Sequence, residues 1–479
     1  MPAATSSLIS APSWFHHLFS PGEPLPNEHS ETASSSKPSK ANTPREFGFG
    51  AISAICTPQM IDHILALCGR TERRCRLLPA RLTVYALLLM CLYPKVGYQR
   101  LMCHLAEAAP DSGKWPIPNK SSFMRARVRL GSKVMEMLFG SLAHPLADKR
   151  ARGCFWRGRR LMAIDGSTLE LAANPELEAG FGGPTAEGGQ RIGPPLARVV
   201  GLIECGTHSL VDIVIARYRD GETTLAASLL RSIKANTLLL ADRNFPGVHL
   251  FKLFTSAEAD VLWRVKGTVA NRVICHLRDG SYLARFGSGE DALTVRVIEY
   301  ALPGSDTIYR LITNLLDPVA APARELAALY AERWEIEACF FDFKVIQGAS
   351  SALRSLSLNS LYQEFWALCT LYQVSCHLTY KAAMQTNDKD CDRISFTLAQ
   401  DMLRLGARQV TGLSLRKLTS ALRRAITHLT SARSLLRRRN RSSPRVARYK
   451  QPQFPSRERH SGPASFQQPR RPDVIPLTP

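Results

Sequence analysis

The sequence predicts an α/β protein in which an all-helical N-terminal domain precedes a mixed-sheet core, and a β-rich insertion interrupts that core. Two patterns indicate this class. From about residue 47 to residue 146, apolar side chains recur at helical spacing. Beyond residue 159, short apolar runs bounded by turn-forming residues replace that spacing, as is typical of strands. Because 479 residues exceed what one core usually organises, several structural units are expected.

The N-terminal helices have recognisable start signals. Pro58 and Pro79 each open a helical run, since proline at the first turn has a helical φ and lacks only an N–H that would have no partner there. The predicted helices span residues 60–67, 83–92, 98–108, 121–130 and 134–142.

The core begins with three strands, a helix and a further strand. These are residues 160–165, 198–204 and 210–218, then 223–234, then 238–242. An antiparallel hairpin beside parallel strands joined by a helix is the opening of a ribonuclease-H-like mixed sheet. Propensity alone does not separate this order from other α/β arrangements.

The rest of the chain alternates between helix and strand. A helix over 248–256 leads into strand-like segments at 260–266, 272–277, 293–300 and 307–313, which form the β-rich insertion. Helix returns over 323–345, 361–380 and 396–431.

Composition shifts define the expected domains. They are a disordered arm (1–45), a helical N-terminal domain (46–150), a ribonuclease-H-like domain (151–385) with its insertion at about 258–320, a C-terminal helical region (386–435) and a basic disordered tail (436–479).

The charge balance favours a polyanionic partner. The 62 Lys and Arg against 40 Asp and Glu give a formal charge of +22 and a pI near 9.8, so nucleic acid is the leading partner class. Residues 433–479 hold 12 Lys and Arg and 2 Asp and Glu. The predicted helix around residues 120–129 carries Lys120, Arg125, Arg127 and Arg129, which suits a phosphate-contacting face. A solvated surface of a basic protein explains these four charges equally well.

Cysteine usage and hydropathy indicate a cytoplasmic protein. The 12 cysteines form no CxxC pair and lie mostly in apolar stretches, as buried thiols do in a reducing cytosol. The longest apolar run, residues 83–93, is too short to span a bilayer, so no membrane is expected as a partner.

Two aspartates close apolar strands. Asp165 precedes Gly166, and Asp242 follows the run LLLA. Side chains at strand ends are held rigidly and reach an open crevice, which is the usual position of ligands in α/β sheets. Taken singly, each aspartate is better explained as a turn former.

A third element adds a polar stripe. Tyr330, Arg333, Glu337 and Lys344 fall within roughly 60° of one helix face, together with Trp334 and Phe341. Glu332 and Glu335 fall on the opposite face. Charges among aromatics indicate a polar site facing the sheet, whereas the simpler alternative is an ion pair between Arg333 and Glu337 with an extended Lys344.

Three carboxylates, Asp165, Asp242 and Glu337, suit a hard cation. Without His or Cys they favour Mg²⁺ or Mn²⁺, and two such ions can activate an attacking oxygen and stabilise a leaving oxygen in phosphodiester chemistry. Arg333 and Lys344 would neutralise substrate phosphates, and Tyr330 would donate to another phosphate oxygen.

These motifs resemble those of the DDE transposases of bacterial insertion sequences, in particular insertion sequence family four with its Y-(2)-R-(3)-E-(6)-K signature. Tyr330, Arg333, Glu337 and Lys344 match that spacing. The two aspartate motifs match as AIDGST (163–168) and LADRNF (240–245), where the family often has Gly in place of Asn244. The N-terminal segments RLLP (76–79) and GY (97–98) are also similar, and the resemblance spans about residues 47–385.

The resemblance implies a ribonuclease-H-like enzyme of DNA transposition and recombination. Asp165, Asp242 and Glu337 would be catalytic and would bind two Mg²⁺ or Mn²⁺ ions, and Tyr330, Arg333 and Lys344 would bind DNA phosphates. A homodimer would bind the terminal inverted repeats of its own element, cleave these DNA ends and join them to target DNA, associating with the nucleoid when bound.

The resemblance also implies that an aromatic side chain stacks on a flipped base in members of the family that form hairpins. Trp263 and Trp334 are the candidates, although core packing is the favoured role of Trp263. Two other interpretations stay open: a stand-alone metal nuclease, and a decayed or repurposed DNA-binding protein without catalysis.

Overall fold

The computed structural model describes residues 48–432 and 435, except 75, 108–115, 187, 189–191, 267–271, 302–306, 347–351 and 409–413. The arm predicted over residues 1–45 and the tail predicted over 436–479 lie outside the described residues.

Helices from both ends of the chain pack into one helical body. The N-terminal helices are α1 (Ala51–Ile55), α2 (Pro58–Leu67), α3 (Ala80–Leu92), α4 (Tyr98–Glu107), α5 (Lys120–Leu130) and α6 (Lys133–Leu142). The C-terminal helices are α12 (Leu358–Ala383), α13 (Phe396–Arg408) and α14 (Leu415–Ser431). The long helix α12 packs against α3, α6, α13 and α14, while α14 also packs against α1.

Between these helical segments the chain forms a mixed ten-stranded sheet. Its strands are β1 (Phe155–Trp156), β2 (Arg159–Glu170), β3 (Leu196–Glu204), β4 (Leu210–Arg217), β5 (Thr237–Ala241), β6 (Asp260–Val265), β7 (Arg272–His276), β8 (Tyr282–Phe286), β9 (Leu293–Ala301) and β10 (Ile308–Thr313). The connecting helices are α7 (Pro175–Phe181), α8 (Glu222–Ser228), α9 (Val248–Ser256), α10 (Ala323–Leu329) and α11 (Trp334–Ile346).

The strand order confirms the predicted ribonuclease-H-like core. Strands run in the order β4-β3-β2-β5-β6-β10-β9-β8-β7, with β1 paired to β2. Within the core, β2–β3 and β3–β4 are antiparallel, whereas β2–β5 and β5–β6 are parallel. The insertion strands β7–β10 are antiparallel and extend the same sheet from β6.

Apolar residues cover both faces of the sheet. Along β2, Leu161 and Ala163 face the helical body, whereas Met162 and Ile164 face the layer that contains α8 and α9. This alternation is the two-residue period of a strand, and burial on both faces explains why the core strands have continuous apolar runs.

The predicted elements differ from the observed ones in several places. Four short elements, α1, β1, α7 and β8, were not predicted. Residues 260–266 were assigned to the insertion, but β6 pairs in parallel with β5 and is the fifth strand of the core. The single helix predicted over 396–431 is two helices, α13 and α14.

One predicted phosphate contact is wrong. Arg127 is only 1% exposed and lies in the interface between α5 and α12. Its guanidinium donates to Gln363 Oε1 at 3.1 Å, Ser355 Oγ at 2.9 Å and the Ser360 carbonyl at 2.8 Å. A helical charge pattern does not reveal that a helix more than 200 residues later in the chain covers this position.

Candidate active site

Two adjacent parallel strands place Asp165 and Asp242 side by side. Ile164 of β2 is in register with Ala241 of β5, so the next residue on each strand is an aspartate. Asp165 lies two residues after Ala163, and Asp242 lies two residues after Leu240. Because Ala163 and Leu240 pack on the helical body and side chains alternate with a two-residue period, both aspartates lie on that face of the sheet. The two aspartates are neighbours, as expected, but only Asp242 follows the end of its strand: Asp165 lies within β2, which continues to Glu170.

Gly166 allows the strand around Asp165 to approach helix α8 closely. A Cβ atom at this position would lie 2.5 Å from Cδ of Glu222, whose carboxylate is paired with Arg198. The Gly166 amide donates a 2.8 Å hydrogen bond to Asp165 Oδ1 and thereby orients the carboxylate. A larger residue would displace Glu222 or the strand itself.

Helix α11 brings Glu337 to the same edge. The segment Tyr330–Arg333 forms a 3₁₀ turn, and α11 begins at Trp334. Tyr330 is buried, and its hydroxyl donates a 3.1 Å hydrogen bond to the carbonyl of Ala241, the residue before Asp242. This contact fixes the start of the glutamate-bearing helix against the strand that ends in Asp242.

Arg333 joins two of the three carboxylates. Its Nη2 donates to Glu337 Oε1 at 2.9 Å, and its Nη1 lies 3.6 Å from Asp165 Oδ2. The ion pair considered in the sequence analysis is therefore formed, but the same guanidinium also reaches the sheet. Lys344 lies two turns beyond Glu337 and is exposed.

Burial and the proximity of the three carboxylates shift the pKa of Asp165. Burial raises the pKa of Asp165 to about 6, and the charges of Asp242 and Glu337 act in the same direction. The Gly166 amide and Arg333 lower this pKa. Burial also raises the pKa of the Tyr330 hydroxyl, which stays protonated as a donor. Proximity of like charges at a crevice is typical of sites that bind cations.

The donor set fits a divalent ion. Asp242 Oδ1 is buried and accepts no hydrogen bond among the described residues, although a buried carboxylate oxygen is costly unless something compensates it. With Asp165 and Glu337 it supplies oxygen ligands only, as Mg²⁺ and Mn²⁺ prefer. The three carboxylates could therefore hold such an ion.

The faces of α11 differ from the prediction. Trp334 and Phe341 are 46% and 67% exposed, whereas Glu332 and Glu335 are buried. The predicted faces were those of a regular α-helix, but residues 330–333 form a 3₁₀ turn. Other segments of the protein also cover the side of α11 that was expected to be exposed. Trp263 is fully buried and packs against Phe251 and Phe254, so its core role is confirmed.

Sequence reasoning missed a buried polar cluster behind α11. His208 in the β3–β4 turn contacts Glu335 and lies 3.7 Å from Asp392 in the 3₁₀ turn that follows α12. All three side chains are buried, and one potential ligand atom of each lies within 4.8 Å of the others. Because His208 Nε2 pairs directly with Glu335, the cluster anchors α11 on the side opposite the carboxylate site. No local sequence pattern links these three positions.

Comparison with known proteins places these features in one family. Residues 47–140 match the family model of the insertion element 4 transposase N-terminal region, and residues 156–374 match that of the transposase DDE domain. No helix within the described parts of the chain is long and apolar enough to cross a membrane.

Individual relatives agree with this assignment. The chain is 25% identical over 418 residues to the transposase InsG for insertion sequence element IS4 of Escherichia coli (strain K12), covering 84% of this chain and 93% of that protein. It is 28% identical over 187 residues to the putative transposase InsZ of the same strain, covering 39% of this chain and 61% of that protein.

A solved structure is also similar. The piggyBac transposase in a synaptic complex with hairpin DNA aligns with a TM-score of 0.41 and 10% identity over 80% of this chain and 85% of that chain. The two family models match in order along the helical domain and the sheet that carries the carboxylates. The chain therefore belongs to the DDE transposases of insertion sequence family four, enzymes that use a divalent metal ion to cleave and join DNA.

Proposed function

We propose that this transposase binds the terminal inverted repeats of its own insertion sequence, cleaves the DNA at these ends and joins the freed ends to target DNA. The observation that carries the proposal is the grouping of three carboxylates: Arg333 joins Asp165 to Glu337, and the β2–β5 register places Asp242 beside Asp165. The buried Oδ1 of Asp242 accepts no hydrogen bond among the described residues.

Asp165, Asp242 and Glu337 are the proposed catalytic metal ligands. Two Mg²⁺ or Mn²⁺ ions bound by them would activate the attacking oxygen and stabilise the leaving oxygen of the phosphodiester. The protein's own contribution is rigid placement: β2 and β5 fix the two aspartates, and the Tyr330 hydrogen bond fixes the helix that bears the glutamate.

Basic side chains bind the DNA backbone in this proposal. Lys344 is exposed near the end of α11 and has no ion pair among the described residues that it would have to break to reach a phosphate. Arg333 has two carboxylate partners, and its planar group suits a phosphate oxygen once cations bind those carboxylates. Tyr330 now donates to a backbone carbonyl, so a phosphate contact would require that bond to exchange.

Trp334 is the proposed stacking residue. It follows Arg333 directly, the residue is 46% exposed, and the guanidinium of Arg333 lies 5.3 Å from the centroid of the indole ring. An exposed indole beside the catalytic carboxylates can stack on an unpaired base. We further propose that a homodimer holds two ends together and that the protein associates with the nucleoid through DNA.

Cleavage of DNA that carries the element's own ends tests the proposal. The parent protein should cut at these ends with Mg²⁺ or Mn²⁺ and not with EDTA, and Glu337→Gln should abolish cutting while end binding persists. Glu170→Gln is the matched control, because Glu170 is exposed at the far end of the strand that bears Asp165. Its cleavage should equal that of the parent.

The possible outcomes distinguish three interpretations. Metal-dependent cutting and joining, both lost in Glu337→Gln, support the transposase. Cutting without any joined product would indicate a stand-alone nuclease. Binding without cutting by the parent would instead indicate a repurposed DNA-binding protein and would contradict the proposal.

A further inference from the structure

A cleft lined by arginines lies in the N-terminal helices and shares no residue with the carboxylate site. It has a volume of about 390 Å³ and lies between the loop that follows α2 and the C-terminal end of α5. Five arginines and one glutamate line it; the arginines are Arg70, Arg73, Arg74, Arg76 and Arg129. So strong an excess of one charge in a concave surface raises the local concentration of anions.

The loop is held in a defined position by its single acid. Glu72 accepts a hydrogen bond from the Ala80 amide at 3.3 Å and lies 3.4 Å from Arg129 Nε and 3.6 Å from Arg76 Nε. Arg129 also donates to the Leu78 carbonyl at 3.2 Å. The glutamate thus fixes the loop to α3 and α5 and neutralises part of the charge of these two arginines.

The remaining arginines have no such compensation. Arg70, Arg73 and Arg74 are exposed, and no carboxylate in the described parts of the chain lies within ion-pair distance of them. Three neighbouring guanidinium groups repel one another, and an anionic partner would relieve this repulsion. Guanidinium groups bind phosphate oxygens with two parallel hydrogen bonds, so a row of phosphates is the matching ligand.

We propose that this cleft binds the phosphodiester backbone of duplex DNA, outside the catalytic site. The inference rests on the proposed function, because DNA is the polyanion on which the enzyme acts. It also revises the phosphate-contacting face expected on α5: Arg129 lines the cleft, whereas Arg127 is internal. Backbone contacts position a duplex and carry no sequence information by themselves.

The salt dependence of DNA binding tests this site. The logarithm of the association constant falls with the logarithm of salt concentration by about 0.9 per phosphate neutralised. The triple variant Arg70→Gln, Arg73→Gln, Arg74→Gln should reduce the slope by about 1 to 3 and weaken binding roughly ten- to a hundredfold at moderate salt. A fluorescent duplex carrying the element's end and an unrelated duplex should be affected alike.

The matched control removes three positive charges elsewhere. Lys149, Arg219 and Lys234 are exposed and lie outside the cleft. Their combined replacement by Gln should leave the slope within error of the parent. A second variant, Thr71→Glu, keeps every arginine and adds a carboxylate to the cleft lining, so it should also weaken binding; it decides the question if the triple variant does not fold.

The results separate this inference from the proposed function. A parent that cleaves element ends, with cleft variants that bind DNA with the parent's affinity and slope, overturns the cleft and leaves the transposase proposal standing. Equal losses in the control triple also overturn the cleft, because total charge would then be the cause. A parent that neither binds nor cleaves DNA overturns both.

Discussion

Asp165 is a partly buried carboxyl group, and its burial opposes ionisation more strongly than Arg333 and the Gly166 amide favour it. Burial raises its pKa from 3.8 to about 6, and the nearby Asp242 and Glu337 contribute in the same direction. In the absence of a cation, the ionised group should therefore destabilise the native state. The folded chain tolerates this cost, which is typical of residues kept for chemistry rather than for stability.

Replacing Asp165 by Asn should stabilise the protein in EDTA. Between its usual pKa of 3.8 and the native value of about 6, the native state binds more protons than the unfolded state, so stability falls as pH rises through this window. The gain from Asn should reach at most about 3 kcal/mol above about pH 6.5 and shrink as the pH approaches 4. Thermal melting of both proteins at about pH 7.5 and about pH 4 measures this difference in stability.

Glu170→Gln again serves as the control, since an exposed carboxyl on the same strand should change the melting temperature little at either pH. An Asp165→Asn protein that melts at or below the parent temperature at pH 7.5 would contradict the assigned electrostatics.

Arg333 is the second residue whose geometry makes a sharp prediction. Its two terminal nitrogens serve Glu337 and Asp165 from one planar group, which a single ammonium cannot reproduce. Arg333→Lys should therefore lower metal-dependent cleavage by about ten- to a hundredfold while end binding changes less. Single-turnover cleavage assays measure the effect, and parental rates in Arg333→Lys would show that charge alone suffices.

At the scale of elements, helix α12 organises the helical body. Gln363 accepts from Arg127 and donates to its carbonyl at 2.6 Å, while Gln373 donates to the Leu142 carbonyl at 2.9 Å and accepts from the Leu210 amide at 3.0 Å. Buried polar contacts of this kind fix the rotation of one helix against its neighbours.

Arg127→Met should test this coupling. The change leaves Gln363 Oε1 and the Ser360 carbonyl without the guanidinium that now satisfies them, and it should cost about 2–4 kcal/mol of stability. Arg125→Met, on the exposed face of the same helix, should cost less than about 0.5 kcal/mol. Denaturant unfolding of both variants makes the comparison, and equal midpoints would show that the buried arginine is dispensable.

The same element scale explains which predictions succeeded. Asp165 and Asp242 were correctly expected to be neighbours, because the two-residue period fixes the face of each side chain and parallel pairing aligns the two strands. Asp165 lies within β2 and not at its end, because the strand continues to Glu170. The predicted exposure of side chains on α11 was wrong where segments distant in sequence cover the helix. Glu335 is buried because His208 and Asp392, from two other segments, lie beside it. The spacing of apolar residues along one helix does not show which distant residues will contact it. The 3₁₀ turn at Tyr330–Arg333 also changes the angle between successive side chains, so a projection for a regular α-helix does not apply there.

For the whole molecule, charge is the property that the sequence establishes most directly. The excess of 62 basic over 40 acidic residues favoured a nucleic-acid partner before any motif was considered. The order of elements along the chain predicted an antiparallel hairpin beside parallel strands, and the structure contains this arrangement. The packing of N- and C-terminal helices into one body was not predicted, since apolar periodicity does not tell which helices meet.

Deleting residues 433–479 should flatten the salt dependence of DNA binding. This segment contains 12 Lys and Arg and 2 Asp and Glu, so its loss removes a large part of the non-specific attraction. Catalysis on pre-bound ends should change less, because the segment contains none of the three carboxylates. Titrations at several salt concentrations compare full-length and truncated protein; identical slopes would show that the tail does not contact DNA.

The contact of helix α1 with helices α13 and α14 has a consequence for synthesis. Gly50, just before α1, lies so close to Gly406 of α13 that an added Cβ would be 2.9 Å from the Gly406 oxygen, and α14 packs on α1. The helices that complete the core around the N-terminal helices are synthesised more than 300 residues later. At about 5–20 residues per second, this delay is on the order of half a minute. A prematurely terminated chain would lack the helices that complete the core, so only nearly full-length translation products should become active transposase.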